Sequence, residues 1–270
     1  MPLVFACSVS HTPGIRAWAD AAQPDQKLRL YAGFDSLRER LQAARPHAIL
    51  IISSEHFANF FLDCMPAFTM GQAESYFGPV EPWVKIEQGV SPGDPALSRR
   101  LLNACYAGGI ELNYAHEMQL DHGIMIPLSF LDPARELPLI PLIINAMTYP
   151  MPTQRRCYAL GRTLAGALEN EPRRVAVVAA GGLSHAPGER THGTIDAAFD
   201  LEFIRRLVAG DTDALTSYTD TEIERRGLGT HEIRAWVAVA GVAEGWQARS
   251  LFYEPVAAWA TGCGLLCYER

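Results

Sequence analysis

No stretch of these 270 residues approaches the ~20 uninterrupted apolar positions that a membrane-spanning helix needs, so a helical membrane protein is excluded and a soluble one expected. Positive charge is also scarce. Lys and Arg number 23 against 30 Asp and Glu, giving a net charge of −7 and a pI near 5.6. Nucleic-acid binding needs a concentrated basic surface, so a small molecule is the better partner. The six cysteines (Cys7, Cys64, Cys105, Cys157, Cys263, Cys267) are scattered and mostly within apolar runs, as reduced core thiols are in a cytoplasmic protein. Cys263 and Cys267 form the one close pair, and the two further ligands a zinc site would require are missing. The stretch Met1 to Val9 has no basic leader before its apolar run and no small-residue cleavage site, so it reads as a first core strand rather than a secretory signal. Repeats, low-complexity tracts and linkers are lacking too, so a single domain over residues 1–270 is expected.

What is present is alternation. Apolar strand-like runs at Pro2 to Val9, Ala48 to Ser53, Phe60 to Phe68, Leu139 to Ile144 and Val175 to Ala180 are interleaved with segments of helical period. Leu30, Phe34, Leu37 and Leu41 fall on one helical face, which Pro46 terminates. Asp94 is placed to cap a helix through Leu97, Leu101 and Cys105 that ends at Gly108-Gly109, and Thr153 to Leu168 forms another. Helices are expected from Ile195 to Ala209 and from about His231 to Glu244, with strands at Arg249 to Tyr253 and Gly264 to Tyr268. This pattern predicts an α/β fold: one domain with a mostly parallel central sheet covered by helices.

Three of the eight histidines stand just past the end of an expected strand: His11, His56 and His185. Ligands of open α/β sheets bind at the carboxyl ends of strands, so a shared site at one sheet edge is expected, although each histidine alone could be a loop or capping residue. His47, His116 and His192 lack supporting pattern and read as ordinary boundary histidines. In Thr230-His231-Glu232-Ile233 a zinc-protease motif would need histidine where Ala235 stands, so that reading fails. Glu232 is left either as a carboxylate that complements a helix dipole or as a ligand. Two imidazoles and a carboxylate would make the facial triad of Fe(II) oxygenases, while zinc could use the same set in a hydrolase. Gln119-Leu120-Asp121-His122-Gly123 adds His122 before a helix expected near Ile124, where Asp121 could orient the His122 ring or cap the helix. Ser184-His185 as a nucleophile and base is a weaker alternative, because the Gly-x-Ser-x-Gly elbow is missing.

Taken together, Ser10-His11-Thr12-Pro13, Glu55-His56-Phe57 with Asp63-Cys64-Met65-Pro66, Asp121-His122-Gly123, Gly181-Gly182-Leu183-Ser184-His185, and Thr230-His231-Glu232-Ile233 with Trp236 resemble a known family. It is the class III extradiol ring-cleaving dioxygenases, which include protocatechuate 4,5-dioxygenase catalytic subunits and 2,3-dihydroxyphenylpropionate 1,2-dioxygenase. The motifs run in the family's order along the chain. The resemblance implies Fe(II) held by His11, His56 and Glu232, with O₂ as co-substrate and His122 and His185 as acid and base. It also implies a small aromatic vicinal diol as substrate, aromatic catabolism in the cytoplasm, and a homo-oligomer with room for a small accessory subunit. The interval from His185 to Glu232 is closer to the protocatechuate type, whereas the residues around Glu55 to Phe68 and Thr230 to Trp236 look more like the dihydroxyphenylpropionate type. The resemblance therefore leaves open a carboxylated catechol, a substituted catechol or a dihydroxypyridine. A binding protein that keeps the fold without the activity is the non-enzymatic alternative.

Overall fold

The apolar runs assemble into one eight-stranded sheet in the computed structural model, which describes residues 2–270; Met1 lies outside them. The strands are β1 (Leu3–Val9), β2 (Ala48–Ser54), β3 (Phe68–Gly71), β4 (Ser75–Gly78), β5 (Gly89–Pro92), β6 (Asn113–Ala115), β7 (Leu139–Ile144), β8 (Val175–Ala180), β9 (Gln247–Val256) and β10 (Thr261–Glu269). Across the sheet the order is β6-β3-β7-β2-β8-β1-β10-β9, with β4 and β5 paired separately as a hairpin. The central strands β7, β2, β8 and β1 run parallel, as do β3 and β6, while β3 meets β7 and the β9–β10 pair meets β1 in antiparallel fashion. Parallel strands need long crossovers, and covering both faces with crossover helices explains why β2, β7 and β8 are apolar along nearly their whole length and fully buried.

The helices are α1 (Gly14–Ala17), α2 (Pro24–Ala44), α3 (Pro95–Ala107), α4 (His122–Leu131), α5 (Gln154–Glu169), α6 (Ala197–Ala209), α7 (Thr212–Ser217), α8 (Asp220–Glu224) and α9 (Ile233–Val242). Period-two alternation splits β2 between two cores. Leu50 and Ile52 face the side of α3, α5 and α9, and Ile49 and Ile51 face that of α2 and α4. As expected, α2 buries Leu30, Phe34, Leu37 and Leu41, and Phe34 stacks on Phe130 of α4 at 4.2 Å. Asp94 caps α3 by accepting from the Leu97 amide at 2.9 Å, and Thr153 caps α5 through the Arg156 amide at 3.2 Å.

The expectations differ from the structure in a few places. Residues Phe60 to Ala67 are not a strand, and β3 starts only at Phe68. The Cys64 amide turns back to the Phe61 carbonyl at 3.0 Å, and Pro66 has no N–H to give a ladder, so Phe61 and Leu62 end in solvent. The short strands β4 and β5 sit in the Gly- and Pro-rich stretch before α3, and β6 follows α3, where none was expected. The helix expected from His231 opens as a 3-10 turn, Leu228–Glu232, before α9 begins at Ile233.

The topology positions the site directly. β2, β8 and β1 are adjacent and parallel, with Val9 opposite Ala180 and Ile52 opposite Ala179, so their carboxyl ends open at one edge. On the face of β8 nearby, α9 packs against α5 at Gly161, where any Cβ would strike the Ala238 carbonyl oxygen. Gly161→Ala should therefore separate the two helices and cost about 1–3 kcal/mol, the range for overpacking a filled interior. Urea denaturation checks this, and an unchanged midpoint would show that the backbones do not meet there.

Candidate metal centre

The strand ends deliver His11 two residues after β1, His56 two residues after β2, and His185 on the Gly181-Gly182 loop after β8. His122 opens α4, and Glu232 closes the 3-10 turn before α9. All five line one cavity of about 550 Å³. Glu232 stands at the N-cap position of α9 but makes no side-chain capping bond, so its carboxylate is not spent on the helix. Its Oε2 lies 2.8 Å from His11 Nε2, and its Oε1 lies 3.1 Å from His56 Nε2 and 3.9 Å from His185 Nε2.

The far nitrogens of these rings are committed. His11 Nδ1 donates to the Gly123 carbonyl at 3.1 Å, His56 Nδ1 donates to Asp121 Oδ2 at 2.9 Å, and His185 Nδ1 donates to the Leu183 carbonyl at 2.8 Å. With its Nδ1 proton committed, a neutral His11 turns an Nε2 lone pair toward an ionised carboxylate, acceptor against acceptor, and His56 can donate to that carboxylate only as a cation. Burial takes His11 below its ordinary range despite the pull of Glu232, which favours the neutral ring. Burial also opposes charge on Glu232 and His56, but His11 and His185 hold Glu232 well below the usual carboxylate range, while Asp121 and Glu232 hold His56 well above its own. A divalent cation among the three groups would remove the repulsion, and two imidazoles with one carboxylate are a donor set that binds such ions. The residues thus fit a metal. The ligand atoms of His11, His56 and His122 also lie within 4.8 Å of one another, so a three-histidine set can be drawn in the same place.

Close approach is built in at two glycines. A Cβ on Gly123 would meet His56 Cε1 and Ser53 Oγ at 2.7 Å, and one on Gly182 would meet Glu232 Oε2 at 2.9 Å as well as the His185 ring. The Gly182 amide donates to Glu232 Oε2.

Asp121 performs one of its two anticipated jobs and a different second one. Its Oδ1 caps α4 through the Gly123 amide at 2.9 Å, but its Oδ2 orients His56 rather than His122, and the His56 charge helps to bring it down to about 2 although burial opposes this. His122 is oriented instead by Glu81, which no sequence pattern marked. Glu81 Oε1 accepts from His122 Nδ1 at 2.7 Å, and Oε2 accepts from the His122 amide at 2.9 Å. Ser184 is no nucleophile here, because it is buried and donates to Asp200 Oδ2 at 2.7 Å. His231 is buried beside Arg234, which donates to its Nδ1 at 2.7 Å; burial and that cation lower it to about 4. His47 binds the Arg174 amide, as a boundary histidine would, whereas His192 lies at the cavity wall, where its sequence gave no sign of it.

Over residues 5–264 the chain matches the family described as the catalytic LigB subunit of aromatic ring-opening dioxygenase. The chain belongs to that family. It is similar to proteins named 2,3-dihydroxyphenylpropionate/2,3-dihydroxicinnamic acid 1,2-dioxygenase. The one from Photorhabdus laumondii is 27% identical, with 98% of this chain and 97% of the relative covered. That of Cupriavidus necator is 29% identical, covering 97% and 96%. The crystal structure of an uncharacterized protein from Escherichia coli K12 shares the fold, with a TM-score of 0.61, 18% identity, and coverage of 98% of this chain and 99% of that one. Among the described residues no helix is long and apolar enough to cross a membrane.

Asp200 anchors the loop that carries His185. It accepts from the Ser184 amide at 2.8 Å and from Tyr253 Oη at 2.9 Å, in addition to the Ser184 hydroxyl. Burial pushes its carboxyl up to about 6 against those hydrogen bonds. Because the folded state holds this proton more tightly than the unfolded chain, its contribution to stability is lost as pH rises from about 4 to about 6 and is level above that. Asp200→Asn should remove this component. Melting temperatures of both proteins from pH 4 to 7 test it, and a difference between them that does not change with pH would acquit Asp200.

Proposed function

We propose that this chain is a single catalytic domain over residues 1–270 and an Fe(II)-dependent extradiol dioxygenase of the cytoplasm, which opens the ring of a catechol-type vicinal diol with O₂. The carrying observation is the convergence of His11 Nε2 and His56 Nε2 on the one carboxylate of Glu232, an arrangement whose repulsion a cation relieves. We assign the metal to His11, His56 and Glu232 rather than to the three histidines. This choice gives the buried Glu232 charge a partner and leaves His122 Nε2 free. When bound, Fe(II) supplies a redox-active Lewis acid with positions beside the protein ligands for substrate and O₂. The six free cysteines, five of them buried, support a reducing compartment.

The two outer histidines supply the proton transfers. Since His185 donates Nδ1–H to the Leu183 carbonyl, its Nε2 carries the lone pair and can take a proton from a diol hydroxyl. His122, held through Nδ1 by Glu81, can deliver a proton from Nε2 as the ring opens, and the tilted stacking of its ring on His56 at 4.2 Å keeps it beside the reacting atoms. Overall, the diol and O₂ combine into an open-chain product that retains both oxygen atoms.

Glu232→Gln should lose iron while keeping the fold, and His11→Ala and His56→Ala should do the same. His122→Ala and His185→Ala should keep iron and lose turnover per iron by about 10²–10⁴-fold, the usual contribution of a positioned acid or base. Glu81→Ala should shift turnover in the same direction as His122→Ala. Iron content, melting temperature and O₂ uptake on the same preparations decide. Iron lost from His122→Ala but retained by Glu232→Gln would move the site to the three histidines. Reloading with Zn(II) should give no O₂ uptake; equal activity of the zinc form in ester or amide hydrolysis would favour a hydrolase.

A further inference from the structure

The cavity beyond the metal-binding end is apolar. Trp18, Met147, Pro187, Leu228 and Trp259 form its walls, and among the described residues no lysine or arginine lines it. Its polar groups are neutral or already engaged. Thr261 Oγ1 lies 2.8 Å from the Trp259 carbonyl and 3.2 Å from Thr12 Oγ1, so these two hydroxyls face each other. The carboxyl groups at the polar end are Glu232 in the cavity, Asp121 behind His56 and Glu81 behind His122. His192 is the one further ionisable lining side chain and is exposed at the mouth; Arg190, two residues before it, lies outside the lining.

The volume of about 550 Å³ is in the range of pockets that enclose a whole small ligand, so a ring held by its diol at the histidine end has room for a substituent. That substituent would meet the Trp259 and Trp18 side. Trp18 of this lining stacks on Trp83 at 5.7 Å, and Trp83, outside the lining, comes within 6.2 Å of the His122 ring, so aromatic rings connect the cavity's Trp18 side to the histidines. A carboxylate pushed against the buried Trp259 would lose its water without gaining a charged hydrogen-bond donor, whereas an alkyl or aryl group would gain contact.

Resting on the ring-opening reading above, we infer that the substrate is a catechol with an uncharged apolar substituent, alkyl or aryl, rather than a carboxylated one. The diol named for the relatives ends in a carboxylate, so a matched pair makes the test: 3-propylcatechol against 3-(2,3-dihydroxyphenyl)propionate, which share ring, diol and chain length and differ only in a methyl or a carboxylate. With the iron-loaded enzyme, kcat/KM should favour the propyl compound by about tenfold or more, a modest share of what stripping water from an unpaired carboxylate costs. Anaerobic binding followed by tryptophan fluorescence should show the same order in Kd, independently of turnover. Trp18→Arg, at an exposed position whose backbone carbonyl alone receives the Trp259 indole N–H, should narrow the gap by giving the carboxylate a partner.

A preference for the carboxylated diol in both readouts overturns the inference, as does equal use of the two. If His192→Ala or Arg190→Ala abolishes such a preference, the mouth supplies the missing charge. If neither ring is opened, the ring-opening reading fails, and the ratio of binding constants still decides whether the pocket takes the uncharged group.

Discussion

The carboxylate of Glu232 is ionised in a place almost sealed from water, with 3% of the residue exposed, and this sets the terms for everything around it. Removing a charge of that size from water costs on the order of several kcal/mol even after the protein relaxes, so it must be met by donors or cations. The Gly182 amide offers one hydrogen bond, and the start of α9 adds the positive end of a helix dipole. The remaining neighbours are imidazoles, of which His56 donates only as a cation and the neutral His11 has its proton committed to the Gly123 carbonyl. This is an arrangement that hydrogen bonding alone leaves incomplete, and the proposed metal would complete it.

Holding such a group in place requires rigid surroundings, and these come from the sheet. Because β2, β8 and β1 are adjacent, parallel and level, their ends converge without long loops. The Trp236 indole donates to the Gly181 carbonyl at 3.1 Å and ties α9 to the end of β8, so Glu232 and the loop bearing His185 are fixed relative to each other. Gly123 and Gly182 have a different task. Side chains there would occupy the space in which His56, His185 and Glu232 approach one another, which gives both glycine-containing motifs a steric reason. Glu55, adjacent to His56, fixes the opposite loop by accepting from the Ala58 and Asn59 amides, while its Oε2 is left without a partner and burial raises its carboxyl.

The strands and helices were legible because their apolar periods are long and uninterrupted, as in α2 and in β2. His11, His56 and His185 were legible because a strand announces its own end. Partnerships were not. Glu81 and His122 are 41 residues apart, and Asp200 and Ser184 are 16 apart, with nothing local to either carboxylate to distinguish it from the other acidic residues. Asp121 shows the limit most clearly. Its neighbour in sequence is His122, but an N-cap residue directs its side chain back over its own helix start, where His56 and not His122 is within reach. The segment from Phe60 to Ala67 failed for another reason: its apolar residues satisfied a strand pattern, while Pro66 and the turn at Phe61 denied it a ladder.

His122 and His185 flank different members of the trio His11, His56 and Glu232, and this would separate the tasks proposed for them. His122 sits against imidazoles, 4.2 Å from the His56 ring and 5.7 Å from that of His11, with a carboxylate behind it. His185 sits against the carboxylate, with a backbone carbonyl behind it. A backbone carbonyl fixes a tautomer but brings no charge, so it suits a ring that begins neutral and accepts a proton. A carboxylate behind a ring compensates positive charge, so it suits one that must carry a proton until it is delivered. On the proposed roles, the direction of proton flow across the site, from the β8 side in to the α4 side out, would be set by what stands behind each imidazole rather than by the imidazoles themselves.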